Sequence, residues 1–354
     1  MTRSAKTRWW VAAVVGLVGS LSLVACSDAG SETPVPDEAQ PNQPTGGQAA
    51  ALDGRIVFMR GDAAEEAGNA YTVDPDGSDE HRLAPDLPNS EFPSWSPDAT
   101  EIHVFCCSDG MIAHFVDPDS GEVVRALPPP DRTVELFCGG AWSPDGERLA
   151  CEGYGVSDPA LNGIYSVRAS DGDGLRRITS NPKGTDIPGD YSPDGERLVF
   201  VRWVDDEPVG FFVTELDGSQ LVRISPPDLV PDDAGFGGSW SPDGDQILFV
   251  ARRSSDHHKA IWVVNADGSS PRPLRIDAAC GGPLSDAEAV GCYSPGWSPD
   301  GSRIVFTRST PDASVPIGYL ENIYIVNADG TGLVQVTDGG YDDNADWGMP
   351  GQAS

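Results

Sequence analysis

The sequence predicts an all-β fold: a six-bladed β-propeller of four-stranded antiparallel blades, with the last blade closed by strands from the two ends of the chain. Three observations predict it. A Trp-Ser-Pro-Asp-Gly turn, with small variations, recurs six times, anchored at Trp95, Trp142, Tyr191, Trp240, Trp297 and Trp347, roughly every 50 residues. Between the turns lie short β-branched and aromatic runs punctuated by Asp-Gly or related pairs, the pattern of strands joined by tight hairpins. The first and last repeats are each incomplete, and each holds what the other lacks.

The elements before the first repeat read as export and attachment. Arg3, Lys6 and Arg8 precede an apolar stretch from Trp9 to Ala25, interrupted by Gly16, Gly19 and Ser20. A basic start, a short apolar core and small residues at the end make residues 1–25 a secretory signal. The stretch is too short to span a bilayer comfortably, which takes about 20 apolar residues. Cys26 directly follows Leu23-Val24-Ala25, which resembles a bacterial lipobox, so Cys26 is expected to be acylated and to become the first mature residue. Residues 26–53 are rich in Pro, Gly, Glu and Gln with no run of large apolar side chains, and are expected to be a flexible tether.

Residues 54–348 are the propeller. After each Trp turn comes a first apolar run, such as Ile102-His103-Val104-Phe105, Leu198-Val199-Phe200 or Ile304-Val305-Phe306; the run Ile56-Val57-Phe58 has no Trp turn before it. A further run leads into each hairpin, as Tyr71-Thr72-Val73 does before Asp76-Gly77 and Trp262-Val263-Val264 before Asp267-Gly268. A last strand follows, as in Arg176-Arg177-Ile178-Thr179. With the strand entering each Trp turn, every repeat has four strands, and radial repetition of such units makes a propeller. Asp346-Trp347-Gly348 supplies a Trp strand with nothing after it, so the two ends are expected to complete one blade and leave no open edge. Residues 349–354 remain as a tail.

The turn residues have structural reasons to repeat. Pro fixes φ, Gly relieves the turn, and the Ser and Asp oxygens accept local N–H groups. Asp98, Asp145, Asp194, Asp243 and Asp300 are therefore expected to be turn carboxylates, and the Trp rings to pack between blades.

Seven Cys in an exported chain fit an oxidising compartment. With Cys26 assigned to lipid, Cys280 and Cys292 are expected to close the loop in the longest interval, and Cys138 and Cys151 to face each other across the strands flanking Pro144-Asp145-Gly146. The pairing of Cys106 and Cys107 is open.

These residues closely resemble the TolB-type propeller repeat, a WD-like family marked by this Trp-Ser-Pro-Asp-Gly turn, over residues 54–348. The resemblance is to the propeller and not to TolB itself, which carries a separate α/β domain before its blades and works in an envelope complex with a peptidoglycan-associated lipoprotein. It implies a binding role in the cell envelope.

Composition narrows the partners. The formal net charge of −32 repels nucleic acid and anionic lipid, so membrane attachment is expected through the lipid alone. No G-x-S-x-G elbow and no H-E-x-x-H pair occurs. His257-His258 reads as a solvated loop. The acidic run at Asp74, Asp76, Ser78, Asp79 and Glu80 lacks the glycine and distal glutamate of a calcium loop. The strand entering each Trp turn is innermost in a propeller, so Glu91, Asp186, Asp190, Asp342, Asp343 and Asp346 are the candidates for the channel mouth. Converging there, they would hold Ca2+ or recognise a basic group. The expected protein is a monomeric, lipid-anchored binding or scaffold propeller on the extracytoplasmic face, or in the periplasm or at the outer membrane of a two-membrane cell. Its expected partner is an envelope protein or polymer, with no resident cofactor. The alternative is a lyase or lactonase-like hydrolase using a channel cation.

Overall fold

Strands Arg55–Gly61 and Asp342–Gly348 lie side by side with Ile56 opposite Trp347 and Arg60 opposite Asp342, which closes the ring as the sequence predicts. The computed structural model describes residues 53–61, 68–87, 89–106, 110–130, 133–232, 237–276, 280, 291–315 and 318–349. The leader, Cys26, the tether up to residue 52, Cys107 and the tail beyond 349 lie outside the described residues. Among the described residues no helix is long and apolar enough to cross a membrane.

Six antiparallel sheets follow in chain order. Blade 1 runs from its inner strand Asp342–Gly348 through Arg55–Gly61 and Gly68–Val73 to His81–Arg82. Blade 2 comprises Glu91–Trp95, Ile102–Phe105, Ala113–Val116 and Val123–Leu127. Blade 3 comprises Val134–Trp142, Arg148–Gly155, Gly163–Arg168 and Arg176–Arg177. Blade 4 comprises Gly184–Tyr191, Arg197–Val204, Glu207–Glu215 and Val222–Arg223. Blade 6 comprises Gly291–Trp297, Arg303–Pro311, Tyr319–Asn327 and Val334–Gln335.

Blade 5 departs from the four-strand expectation. Its inner strand is split into Leu229–Pro231 and Ser239–Trp240, both paired to Gln246–Arg253, with Lys259–Asn265 and Arg272–Pro273 outside. Part of the reason is a backbone contact with blade 4. A Cβ added to Gly189 would stand 2.2 Å from the Gly238 oxygen, and one on Gly237 would stand 2.2 Å from the Gly189 nitrogen. Only glycines allow two inner strands to approach this closely.

The middle strands explain how the blades adhere. Along Gln246–Arg253, residues 247 to 251 are all essentially buried. Ile247, Phe249 and Ala251 pack with Val201, Trp203 and Phe211 of blade 4, while Leu248 and Val250 pack with Ile304 and Phe306 of blade 6. The two-residue alternation of a strand thus deals successive side chains to opposite neighbours, and the core is a ring of apolar layers between blades.

The outermost strands are two residues long in five blades and often carry Arg, which discourages edge-to-edge pairing. The repeated turns bear out their structural reading. Ser143 Oγ donates to Asp145 at 2.5 Å, Asp145 accepts the Glu147 N–H at 3.0 Å, and Ser143 Oγ accepts the Arg148 N–H at 2.9 Å. The copies at Asp98, Asp243 and Asp300 repeat the serine contact. Those hydroxyls hold the turn carboxyls below the usual range.

Both expected disulfides are present, Cys138–Cys151 and Cys280–Cys292. The first joins facing strands of blade 3, and the second ties the start of the blade 6 inner strand to the preceding loop.

Candidate functional site

Antiparallel order sorts the connections by face. Inner strands end at the Trp turns and third strands end at the Asp-Gly hairpins, so all these repeated turns lie on one face. The opposite face, the loop face, carries the links from the second to the third strand and from each blade to the next.

The six acids singled out in the sequence fall into separate settings. Asp342 starts the inner strand of blade 1 and Asp186 is the third residue of that of blade 4, and each is clasped by the arginine opposite it. Arg60 donates from Nε at 2.5 Å and from a terminal nitrogen at 3.0 Å to Asp342, and it also reaches Glu80 at 2.6 Å. Arg202 donates twice to Asp186 at 2.7 Å, where Thr179 adds a bond at 2.6 Å and Asn181 one at 3.0 Å. Arg60 lies over the Phe58 and Tyr71 rings and Arg202 over Phe200 and Phe212. Both aspartates are buried. Burial pushes the Asp342 carboxyl up against the opposing pull of Arg60. For Arg60 burial works against the charge, but the bonds to Asp342 and Glu80 outweigh it and raise the guanidinium further.

Asp346 and Asp190 stand one residue before the aromatic anchors of their blades, Trp347 and Tyr191, and brace the next blade. Asp346 accepts the Trp95 N–H at 2.8 Å and Asp190 the Trp240 N–H at 3.3 Å. Burial raises both carboxyls, Asp190 to about 6, with the Asp346 charge contributing to the latter. Glu91 is buried at the start of the blade 2 inner strand, where burial raises its carboxyl and the Gly68 N–H partly offsets that.

Asp343 belongs to a polar cluster on the loop face, between blades 5, 6 and 1. Its Oδ1 accepts from Thr307 at 2.7 Å, from Ser294 at 3.0 Å and from the Asn344 N–H at 2.6 Å. Lys259, the first residue of the third strand of blade 5, is 6% exposed. Its ammonium lies 3.3 Å from Asp232 and 3.4 Å from the centre of the Tyr293 ring. Burial lowers the Lys259 pKa, and the Asp232, Asp343 and Glu321 charges oppose that. Glu321 is fixed by its backbone, whose N–H donates to the Gly340 carbonyl at 2.9 Å beside a parallel bridge to Tyr341. Burial first, and the Asp343 charge second, push its carboxyl up to about 8. Burial likewise raises Asp343.

A smaller cluster occupies the same face between blades 3 and 4. The Tyr154 hydroxyl donates to Glu152, Thr185 Oγ1 lies 3.1 Å from that hydroxyl, and burial pushes Glu152 up to about 7. Among the described residues no three His, Cys, Asp or Glu side chains are placed to hold one metal ion. His257 and His258 lie in the link between the second and third strands of blade 5, with His257 exposed.

No family model matches the chain. It is 33% identical over 111 residues to the Tol-Pal system protein TolB of Anaeromyxobacter dehalogenans strain 2CP-C, a match covering 31% of this chain and 24% of that protein. The crystal structure of TolB from Acinetobacter baumannii superposes with a TM-score of 0.59 at 19% identity, over 83% of this chain and 66% of that one. A putative TolB from Agrobacterium tumefaciens gives 0.55 at 18% identity, over 84% and 99%. The chain has the propeller fold of these two structures, and 111 of its residues are similar in sequence to TolB. The chain matches about a quarter of the length of that curated relative.

Two features of this propeller escaped the sequence reading. The arginine clasps had a signal: Arg60 and Arg202 each follow an apolar triplet by two positions, in Ile56-Val57-Phe58 and Leu198-Val199-Phe200. Lys259 had only its rarity, since Lys6 and Lys183 are the other lysines of the chain.

Proposed function

We propose that this chain is a binding propeller of the cell envelope, held at the extracytoplasmic membrane surface by lipid on Cys26 and engaging a protein or envelope polymer through its loop face. One observation carries the reading: the repeated residues are consumed in turns and inter-blade bracing, and the buried charges without such a duty collect on the opposite face around Lys259, Glu321 and Asp343. The TolB-type fold supports an envelope role, since the relatives bear the name of Tol-Pal system proteins. The Leu23-Val24-Ala25-Cys26 sequence supports the anchor. A tether of Pro, Gly and polar residues lets a propeller on one lipid anchor search a membrane-adjacent volume.

Two experiments test this. Cys26→Ser moves the chain from the detergent phase to the aqueous phase; a variant that stays in the detergent phase refutes the anchor. Crosslinking in intact envelopes, with a photoreactive residue at Tyr319 on the loop face or at Asp267 on the turn face, yields a discrete adduct from Tyr319 alone. Equal labelling from Asp267 refutes the choice of face.

A further inference from the structure

The seam between blades 2 and 3 departs from the others on the turn face, and we propose that it is a binding site for a guanidinium group. Of the six repeat anchors, five are between 5% and 8% exposed, and Trp142 alone is only partly buried. Trp142 lines a cavity of about 390 Å³ between the two blades, together with Asp98, Glu101 and Arg125 of blade 2 and Asp145 and Ser170 of blade 3. The turns themselves stand apart there. A Cβ on Gly195, Gly244 or Gly301 would meet the turn proline of the preceding blade at 3.7, 3.7 and 3.5 Å, whereas one on Gly146 would have nothing within 4 Å.

A sister seam shows which group belongs in the cavity. Six residues after the anchor, blades 3, 4 and 6 carry Arg148, Arg197 and Arg303, blade 5 carries Gln246 and blade 2 carries Glu101. Between blades 4 and 5 the Arg197 guanidinium lies 4.8 Å from the centre of the Trp240 ring, with Asp194 of the preceding turn 3.7 Å away. Glu101, Asp98 and Trp142 hold the same three sequence places between blades 2 and 3, with the arginine replaced by an acid. Glu101 turns instead to Arg125, which donates to it at 3.0 and 2.5 Å and to the Ala169 carbonyl at 2.5 Å. Arg125 is thereby neutralised, and Asp98 and Asp145 leave the cavity net negative. Each spends Oδ1 on its own turn, and Oδ2 of each has no hydrogen-bond partner among the described residues. A planar cation over Trp142 would make the ring contact that Arg197 makes on Trp240 and fork to one of these carboxylates. An ammonium matches the charge but offers neither the flat stack nor the fork.

Calorimetry on the purified full chain tests the site with n-propylguanidine, the neutral n-propylurea of similar shape, n-butylamine and N-acetylarginine methylamide. n-Propylguanidine is expected to bind at least tenfold more tightly than the urea or the amine. Binding of N-acetylarginine methylamide as tightly as n-propylguanidine assigns the site to an arginine within a chain, and weaker binding assigns it to a free small compound. Asp98→Asn with Asp145→Asn keeps the turn acceptors and removes the charge, and is expected to weaken n-propylguanidine at least tenfold. Asp243→Asn with Asp300→Asn, the same change in the turns of blades 5 and 6, is expected to leave its affinity unchanged. Equal binding of the urea, no binding of n-propylguanidine, an unchanged affinity in the folded Asp98 and Asp145 variant, or an equal loss from both double variants overturns the proposal. The Tyr319 crosslink reports on the opposite face, so failure here leaves the loop-face reading standing.

Discussion

The two arginine clasps offer a controlled comparison, because the fold builds the same device twice with one difference. Asp186 and Asp342 are both fully buried as side chains, and each faces an arginine that is itself mostly covered. Asp186→Ala leaves Arg202 with no other carboxylate among the described residues, whereas Asp342→Ala leaves Arg60 bonded to Glu80 at 2.6 Å. Removing one member of a buried pair costs about 3–5 kcal/mol through the stranded charge. Asp186→Ala should approach that range, and Asp342→Ala should cost about 2 kcal/mol, the worth of the lost charged hydrogen bonds. For a domain of this size the first corresponds to a fall in Tm of roughly 10 °C. Urea denaturation at fixed pH gives both values, with m unchanged if the native fold is kept. Replacing both partners, Asp186→Leu with Arg202→Met, should recover most of the loss, since an apolar pair needs no solvation. Equal destabilisation by the two alanine variants, or a double variant no more stable than Asp186→Ala, would refute the reasoning.

Other outcomes follow from the same structure. A chain stopped before Asp342 loses five paired positions with Arg55–Gly61 and the buried Trp347; at about 1 kcal/mol per bond and 3–5 for the ring, this matches the whole stability of a domain, and circular dichroism should show no cooperative melt. Serine at both Cys138 and Cys151 removes a bridge of sequence separation 13, with an expected loss of about 3 kcal/mol by denaturation. Glu321 and Glu152 have folded pKa values raised to about 8 and about 7, so the folded state binds more protons than the unfolded chain between the ordinary carboxyl range and those values. Their stabilising effect is full in acid and is lost as pH rises through them. Tm measured from pH 5 to 9 should therefore fall less in Glu321→Gln and Glu152→Gln than in the native chain, and an unchanged slope would count against both shifts.

The blade architecture was legible because it is periodic. Trp95, Trp142, Tyr191, Trp240 and Trp297 each sit in a local motif whose Ser, Pro and Asp, with Gly in all but the first, satisfy their own turn, so sequence alone carries the geometry. Closure was legible for the same reason: Trp347 lacked a following strand and Ile56 a preceding one. Both disulfides could be read from spacing around a hairpin and a loop. The split inner strand of blade 5 was not legible, because it depends in part on Gly237 meeting Gly189 of another blade.

For the acids, sequence gave residue type and strand position but not company. It put Asp186, Asp190, Asp342, Asp343 and Asp346 on innermost strands, where they are. Only the tertiary structure decided that Arg202 and Arg60 neutralise two of them, that Asp190 and Asp346 hold the backbone of the next blade, and that Asp343 joins Glu321 and Lys259 from strands far away in the chain. The physical reason is range. A turn or a strand is fixed by neighbours a few residues away, whereas the charge state and free hydrogen-bonding capacity of a buried carboxyl are fixed by whichever groups the closed ring brings within a few ångströms.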